Sequence, residues 1–251
     1  MLVNTTGMLR LFTHIYMILL VCITLQAQQN TYGLNDLDNA YIQEMMTENS
    51  QLTERIKSQP AAFQELNKEA GQAIRSKDYA AALAVANKLE EKYPKNPDVK
   101  NFKGKMQSKL GDNTAAIKSF GQALALNTDN KWFYINKATG EAESNLMSDA
   151  LKTIESLIKK YPQWSIGYNF KAALLHSLKN DSEALKAYDM AVKNEPKSAQ
   201  VFANRGDLYL EMGNKVKAFE DYNAALAIQP DYKRAHDQVS KLQGTAVFDK
   251  K

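Results

Sequence analysis

The sequence predicts an all-α protein, an α-solenoid of about five helical hairpins with flanking capping helices. Two observations carry this prediction: residue types recur every 34 positions, and apolar residues within each period fall at helical spacing. Alanine fills one column of the repeat without exception: Ala82, Ala116, Ala150, Ala184 and Ala218. Five repeats therefore follow one another without an insertion: 63–96, 97–130, 131–164, 165–198 and 199–232.

Further columns indicate that each repeat is a helical hairpin. A small residue recurs where two helices must approach closely: Ala70, Gly104, Ala138, Ala172 and Gly206. Four repeats share a proline that ends the second helix: Pro94, Pro162, Pro196 and Pro230. The turn between the helices carries Asp78, Asp112, Asn180 and Asn214, each able to cap the helix that follows. The middle repeat departs, with Leu146 in that position and Asn145 or Ser148 left to cap.

This period and these columns resemble the tetratricopeptide repeat (TPR) family. The likeness is best in 165–198 and 199–232, and weaker where Lys100, Gln107 and Glu141 fill positions that usually hold apolar residues. It implies a right-handed superhelix that holds a peptide or partner protein on its concave face, lined by the first helix of each repeat. The likeness is specific for the fold and says little about the particular function.

Carried over repeat by repeat, the resemblance implies a set of partner-binding residues on the concave face: Asn101, Lys105, Lys109, Trp132, Ile135, Thr139, Ile166, Asn169 and His176. It also places Gln200, Asp207 and Glu211 there, so that the face runs from basic through apolar to acidic. The apolar centre is typical of a binding hot spot. Alternatively, Trp132 and Trp164 pack as core between repeats, and the lysines are ordinary solvated charges.

Composition and motifs argue against other functions. The net charge is +4 with both signs interspersed, so nucleic acid is not the expected partner. No zincin, P-loop, dinucleotide-binding or hydrolase-elbow motif occurs, and we expect no enzyme activity, cofactor or small-molecule substrate. His176 and His236 are 60 residues apart, too far along a solenoid to share a metal ion.

The N-terminus predicts export. Residues 1–27 combine Arg10 with the apolar run 11–25, which is typical of a signal peptide cleaved after Ala27. An uncleaved anchor, which would be the only membrane contact, and lipidation of Cys22 are the alternatives. The residues after Ala27 are similar to those of many exported Bacteroidetes-type proteins, so the expected location is the periplasm or the cell surface.

Two flanking segments complete the chain. Segment 28–62 is predicted to begin flexibly and continue as an amphipathic helix over 34–57, either a capping helix or a degenerate sixth hairpin, with Pro60 opening the next helix. Folding of that helix into the concave groove would make the protein autoinhibited. Segment 233–251 is predicted to be a C-terminal capping helix and tail.

The leading functional hypothesis is a non-enzymatic scaffold or adaptor of the bacterial cell envelope that binds a protein or peptide in the concave groove. The alternative is a self-associating structural component of an envelope or secretion assembly, without a peptide ligand.

Overall fold

The structure, a computed structural model, describes residues 37–244 as an all-α chain of twelve helices without a strand in that range. The helices are α1 (Asn39–Lys57), α2 (Ala61–Arg75), α3 (Tyr79–Lys92), α4 (Pro97–Lys109), α5 (Asn113–Leu126), α6 (Lys131–Glu143), α7 (Met147–Lys160), α8 (Ser165–Ser177), α9 (Asp181–Asn194), α10 (Ala199–Glu211), α11 (Lys215–Ile228) and α12 (Lys233–Gln243). The predicted signal peptide with Cys22, the segment 28–33 and the tail after Gly244 lie outside the described residues. Within 37–244, no helix has the length and apolar character needed to span a bilayer.

The predicted solenoid class is confirmed: α2 to α11 form five successive helix pairs, and the second helix of each pair starts 34 residues after the previous one. The described chain divides into two compact units. The first unit comprises residues 48–146, and the second comprises 37–47 together with 147–244. Helix α1 therefore contributes its first half to the second unit and its last half to the first.

The turn between the two helices of each pair has the same backbone conformation. One residue adopts a left-handed conformation, at Lys77, Gly111, Asn145, Lys179 and Gly213. The next residue then returns its N–H to a carbonyl five residues back, as from Asp78 to Ala73 (2.9 Å). In four turns the side chain of that second residue also caps the following helix, as predicted for Asp78, Asp112, Asn180 and Asn214. In the middle repeat, Leu146 supplies only the backbone bond.

The small-residue column marks close contacts, as predicted. A Cβ built on Gly104 would lie 2.7 Å from the ring of Phe120, and one on Gly206 would lie 2.9 Å from the ring of Tyr222. The five alanines of the invariant column are fully buried. Close helix packing inside these two pairs therefore depends on the absence of a side chain at one position.

The polar residues that break the repeat pattern find polar partners. Lys100 Nζ donates to Glu90 Oε1 at 2.5 Å. Gln107 Oε1 accepts from Ser119 Oγ at 2.6 Å. Lys100 and Gln107 are thus each matched by a polar residue on a neighbouring helix, whereas Glu141 pairs with Lys137 on its own helix.

A helix flanks the five pairs on each side, α1 before them and α12 after them. Helix α12 buries Ala235, Val239 and Leu242 against the apolar side of the last helix pair. Helix α1 begins at Asn39, where Asp38 accepts the Tyr41 N–H at 2.8 Å and caps the helix; residues 34–36 of the predicted helix lie outside the described residues.

Candidate functional site

The surface formed by the first helix of each pair is called here the first-helix face. In the first unit it is built from α2, α4 and α6, and in the second unit from α8 and α10. The first unit carries six of the predicted binding residues and the second unit three. The two parts are described separately.

In the first unit, the predicted residues divide into buried and accessible ones. Asn101 is buried, and its Oδ1 accepts a hydrogen bond from Asn136 Nδ2 at 2.8 Å. Ile135 is only 4% exposed. The remaining four are partly exposed: Lys105, Lys109, Trp132 and Thr139. Of the predicted set in this unit, these four are the ones whose side chains keep solvent-accessible area.

Lys109 has an acidic neighbour in the first unit, Glu143. Burial raises the pKa of the Glu143 carboxyl, against the opposing effects of a hydrogen bond from Ser108 and the charge of Lys109. Lys109 therefore lies beside a carboxylate of its own unit, which weakens its attraction for an acidic partner.

The second half of α1 is anchored in the first unit near the starts of two first helices. Arg55 donates from Nε and Nη2 to the Asp98 carboxylate at 2.8 and 3.0 Å, a forked ion pair in the first turn of α4. Glu48 accepts from Asn130 Nδ2 at 2.8 Å, and Asn130 is the residue that caps α6.

In the second unit, Asn169 belongs to a buried polar network. Asn204 Nδ2 donates to Asn169 Oδ1 at 2.8 Å, and Asn204 Oδ1 accepts from Arg234 Nη2 at 2.6 Å. Arg234 also pairs with Asp207 at 2.9 Å, and Tyr222 donates to the same carboxylate at 2.6 Å. The expected acidic end of the face is therefore neutralised at Asp207 by an arginine from α12.

His176 is similarly engaged within the second unit. Its Nδ1 lies 2.7 Å from Asp181 and its Nε2 lies 3.1 Å from Glu211, and the side chain is buried. Burial raises the pKa of the Glu211 carboxyl. Among residues 37–244, no group of three or more His, Cys, Asp or Glu side chains is arranged to hold a metal ion.

The first half of α1 occupies the first-helix face of the second unit. Asp38 is 1% exposed, and its Oδ2 accepts from Ser198 Oγ at 2.6 Å and from the Gln200 N–H at 3.0 Å. Trp164 donates its indole N–H to Glu44 Oε2 at 3.1 Å. Between these contacts, Tyr41 is buried.

Because α1 docks here, part of the predicted apolar centre is covered by the chain itself. Ile166 is buried and lines a pocket together with Tyr41 and Glu44. Trp164, also buried, packs with α1 rather than facing solvent. Ile166 and Asn169 are thus reachable by a partner only if segment 38–44 moves. Sequence reasoning missed Asp38 and Ser198, although each precedes a helix by one residue and could have been recognised as a helix cap.

Comparison with known proteins identifies the repeats. Two family models match, each described as "Tetratricopeptide repeat": one over residues 97–130 and the other over residues 199–232. Tetratricopeptide repeat protein 16 from Homo sapiens is 24% identical over 194 residues, covering 73% of this chain and 20% of that protein. The chain spans about a fifth to a third of the length of the first curated relatives it matches.

Solved structures show the same fold. A tetratricopeptide repeat protein from Parabacteroides merdae is similar with a TM-score of 0.61 and 20% identity, over 72% of each chain. YrrB, described as a TPR protein with an unusual peptide-binding site, is similar with a TM-score of 0.52 and 21% identity, over 67% of this chain and 87% of its own. The chain contains tetratricopeptide repeats and has the all-α TPR solenoid fold.

Proposed function

We propose that this protein is a non-enzymatic scaffold of the bacterial cell envelope, whose first-helix face binds a peptide segment or a partner protein. The observation that carries the proposal is the docking of segment 38–44 in the second unit. That segment is held through a backbone N–H, a serine hydroxyl and an indole N–H. These are the groups by which a protein surface recognises a peptide.

Two further observations support the proposal. The four partly exposed residues of the first unit, two lysines with Trp132 and Thr139, combine charge, an aromatic ring and a hydroxyl on one face. The similar protein YrrB is described as having a peptide-binding site. Export rests on the apolar run 11–25 followed by Ala27, and sequencing the N-terminus of the protein from its native cells tests it.

Site-specific photo-crosslinking in native cells tests the binding face. A photoreactive residue is placed at Lys105 or Thr139 on the first-helix face, and at the exposed Lys118 of α5 as the matched control. We expect one partner protein to be crosslinked from the first two positions and not from Lys118. Crosslinks only from Lys118 would contradict the proposal, and crosslinks only between copies of this chain would favour the self-associating alternative.

A further inference from the structure

The contacts of segment 38–44 specify what chemistry the second unit's first-helix face recognises. Resting on the proposed function, we infer that this face binds the acidic N-terminal turn of a helix bearing an aromatic residue. Segment 38–44 is the chain's own version of that ligand and competes with it.

The acidic residue is defined by the donors that surround it. Asp38 uses one oxygen to cap its own helix, through the Tyr41 N–H at 2.8 Å. The other oxygen accepts from the Gln200 N–H, in the first turn of α10, and from Ser198 Oγ. A single buried carboxylate thus accepts a backbone N–H from the first turn of each of two helices. A shorter polar residue has only one side-chain oxygen and an apolar residue has none, so neither could do this.

The aromatic and second acidic positions are defined by the pocket. Tyr41 lies three residues after the capping residue Asp38, and Glu44 three residues further, so the three lie along one side at the start of α1. Ile166 and Val201 line the pocket beside Tyr41, and the indole N–H of Trp164 meets Glu44. The recognised pattern is therefore acidic, aromatic and acidic at intervals of three residues.

The competing role follows from connectivity. Because segment 38–44 is joined to the chain, every molecule carries its own competitor close to the face. A free ligand of the same chemistry must displace it, and its apparent affinity falls by the fraction of molecules in which the face is open. Weakening the segment's own contacts should therefore strengthen binding of a peptide added from outside.

The test uses the full mature chain and a fluorescent peptide with the sequence of residues 37–47. An Asp38→Ala/Tyr41→Ala variant opens the face, while Gln43→Ala, at an exposed position of the same helix, is the matched control. Fluorescence anisotropy should give at least tenfold tighter peptide binding to the opened variant than to the wild type or the control. Equal binding to all three proteins, or none to any, overturns the inference.

Two additional variants localise the effect. In the opened background, Ser198→Ala/Trp164→Phe removes the hydroxyl and the indole N–H while keeping the aromatic ring, and should weaken peptide binding at least tenfold. Unchanged binding would place the peptide elsewhere and refute the site. A peptide with asparagine and alanine replacing its Asp38 and Tyr41 counterparts should also lose at least tenfold in affinity, and equal affinity would refute the proposed pattern.

Circular dichroism checks that each variant keeps the helix content of the wild type. If Asp38→Ala/Tyr41→Ala is not folded, Asp38→Asn replaces it, because asparagine still caps α1 but lacks the charge. It should change peptide binding in the same direction by a smaller factor, and an unchanged affinity overturns the inference. A negative result in this peptide-binding test would not change the crosslinking expected from Lys105 and Thr139. The proposed function and the further inference can therefore be refuted independently.

Discussion

Asn204 donates a hydrogen bond to Asn169 across successive first helices, with Nδ2 and Oδ1 2.8 Å apart and both side chains almost fully buried. The first unit contains the corresponding bond from Asn136 to Asn101, also 2.8 Å long. Both pairs are 35 residues apart, one more than the repeat. The amide of one first helix thus reaches the amide of the next, which fixes the register of neighbouring helices in each unit.

Replacing Asn204 by alanine should destabilise the second unit. The substitution leaves Asn169 Oδ1 without its donor and Arg234 Nη2 without one acceptor, both in a buried network. Stranded buried polar groups of this kind cost about 1–3 kcal/mol. Urea unfolding followed by circular dichroism measures the loss.

The control for that substitution is Asn194→Ala. Its amide donates to the Pro162 carbonyl at an exposed position, so its loss should change stability by less than about 0.5 kcal/mol. Equal effects of the two substitutions would show that the buried network contributes no special stability.

The helices and their packing could be predicted because each is determined inside one repeat. At constant spacing, a small residue specifies the close approach of two helices, an alanine specifies the core and a proline specifies the helix end. Gly104, which lies against Phe120, is an example of the close approach. The left-handed backbone conformation in the turns was harder to predict, because Lys77 and Lys179 adopt it without the glycine that indicates it in other repeats.

The candidate site was predictable only in part, because its decisive contacts join residues that no period relates. Asp38 and Ser198 are 160 residues apart in sequence, and Asp38 lies outside the repeats. Arg234 reaches Asn204 from the terminal helix. Repeat columns describe contacts between equivalent positions, so they do not reveal where a segment outside the array docks.

Gly104→Val should strongly destabilise the first unit. The added side chain would begin 2.7 Å from the Phe120 ring and 3.1 Å from the Ala116 carbonyl oxygen, so the helices must separate. Overpacking of this kind costs about 1–3 kcal/mol. Thermal or urea unfolding of the variant measures it.

Gly121→Ala is the matched substitution in α5. Its Cβ would meet only the end of the Lys137 side chain, at 3.9 Å, so no clash opposes the higher helix propensity of alanine. We expect a gain of about 0.5–1 kcal/mol. A loss of stability at Gly121 would mean that glycine is required there for another reason.

Lys179→Gly should stabilise the second unit, because Lys179 holds a left-handed backbone with φ of 61°. For a residue with a Cβ, that conformation costs about 1–2 kcal/mol, partly offset by the greater freedom of glycine in the unfolded chain. A net gain of about 0.5–1 kcal/mol in urea unfolding is expected.

The reverse substitution, Gly213→Ala, tests the same turn position one repeat later. No atom lies within 4 Å of a Cβ built there, so only the backbone conformation, with φ of 78°, opposes alanine. Stability should fall by about 1 kcal/mol. If both substitutions act in the same direction, backbone strain is not what distinguishes these turns.

Glu90→Gln should destabilise the first unit in a pH-dependent way. Burial acts to raise the pKa of the Glu90 carboxyl, but hydrogen bonds and charge from Lys100 and Lys103, both at 2.5 Å, outweigh burial and lower it below the ordinary value of 4.5. The folded state therefore favours the ionised carboxyl. Its stabilisation is complete above pH 4.5 and is lost as the pH falls through the lowered pKa.

Urea unfolding of wild type and Glu90→Gln at several pH values tests this sign. At pH 7 the variant should be less stable by about 1 kcal/mol, a typical value for a partly exposed ion pair with two partners. The difference should shrink as the pH falls below 4.5, because the wild-type carboxyl then becomes neutral like the glutamine. A difference that stays constant down to pH 3 would mean that packing, and not the charge of Glu90, holds Lys100 and Lys103 in place.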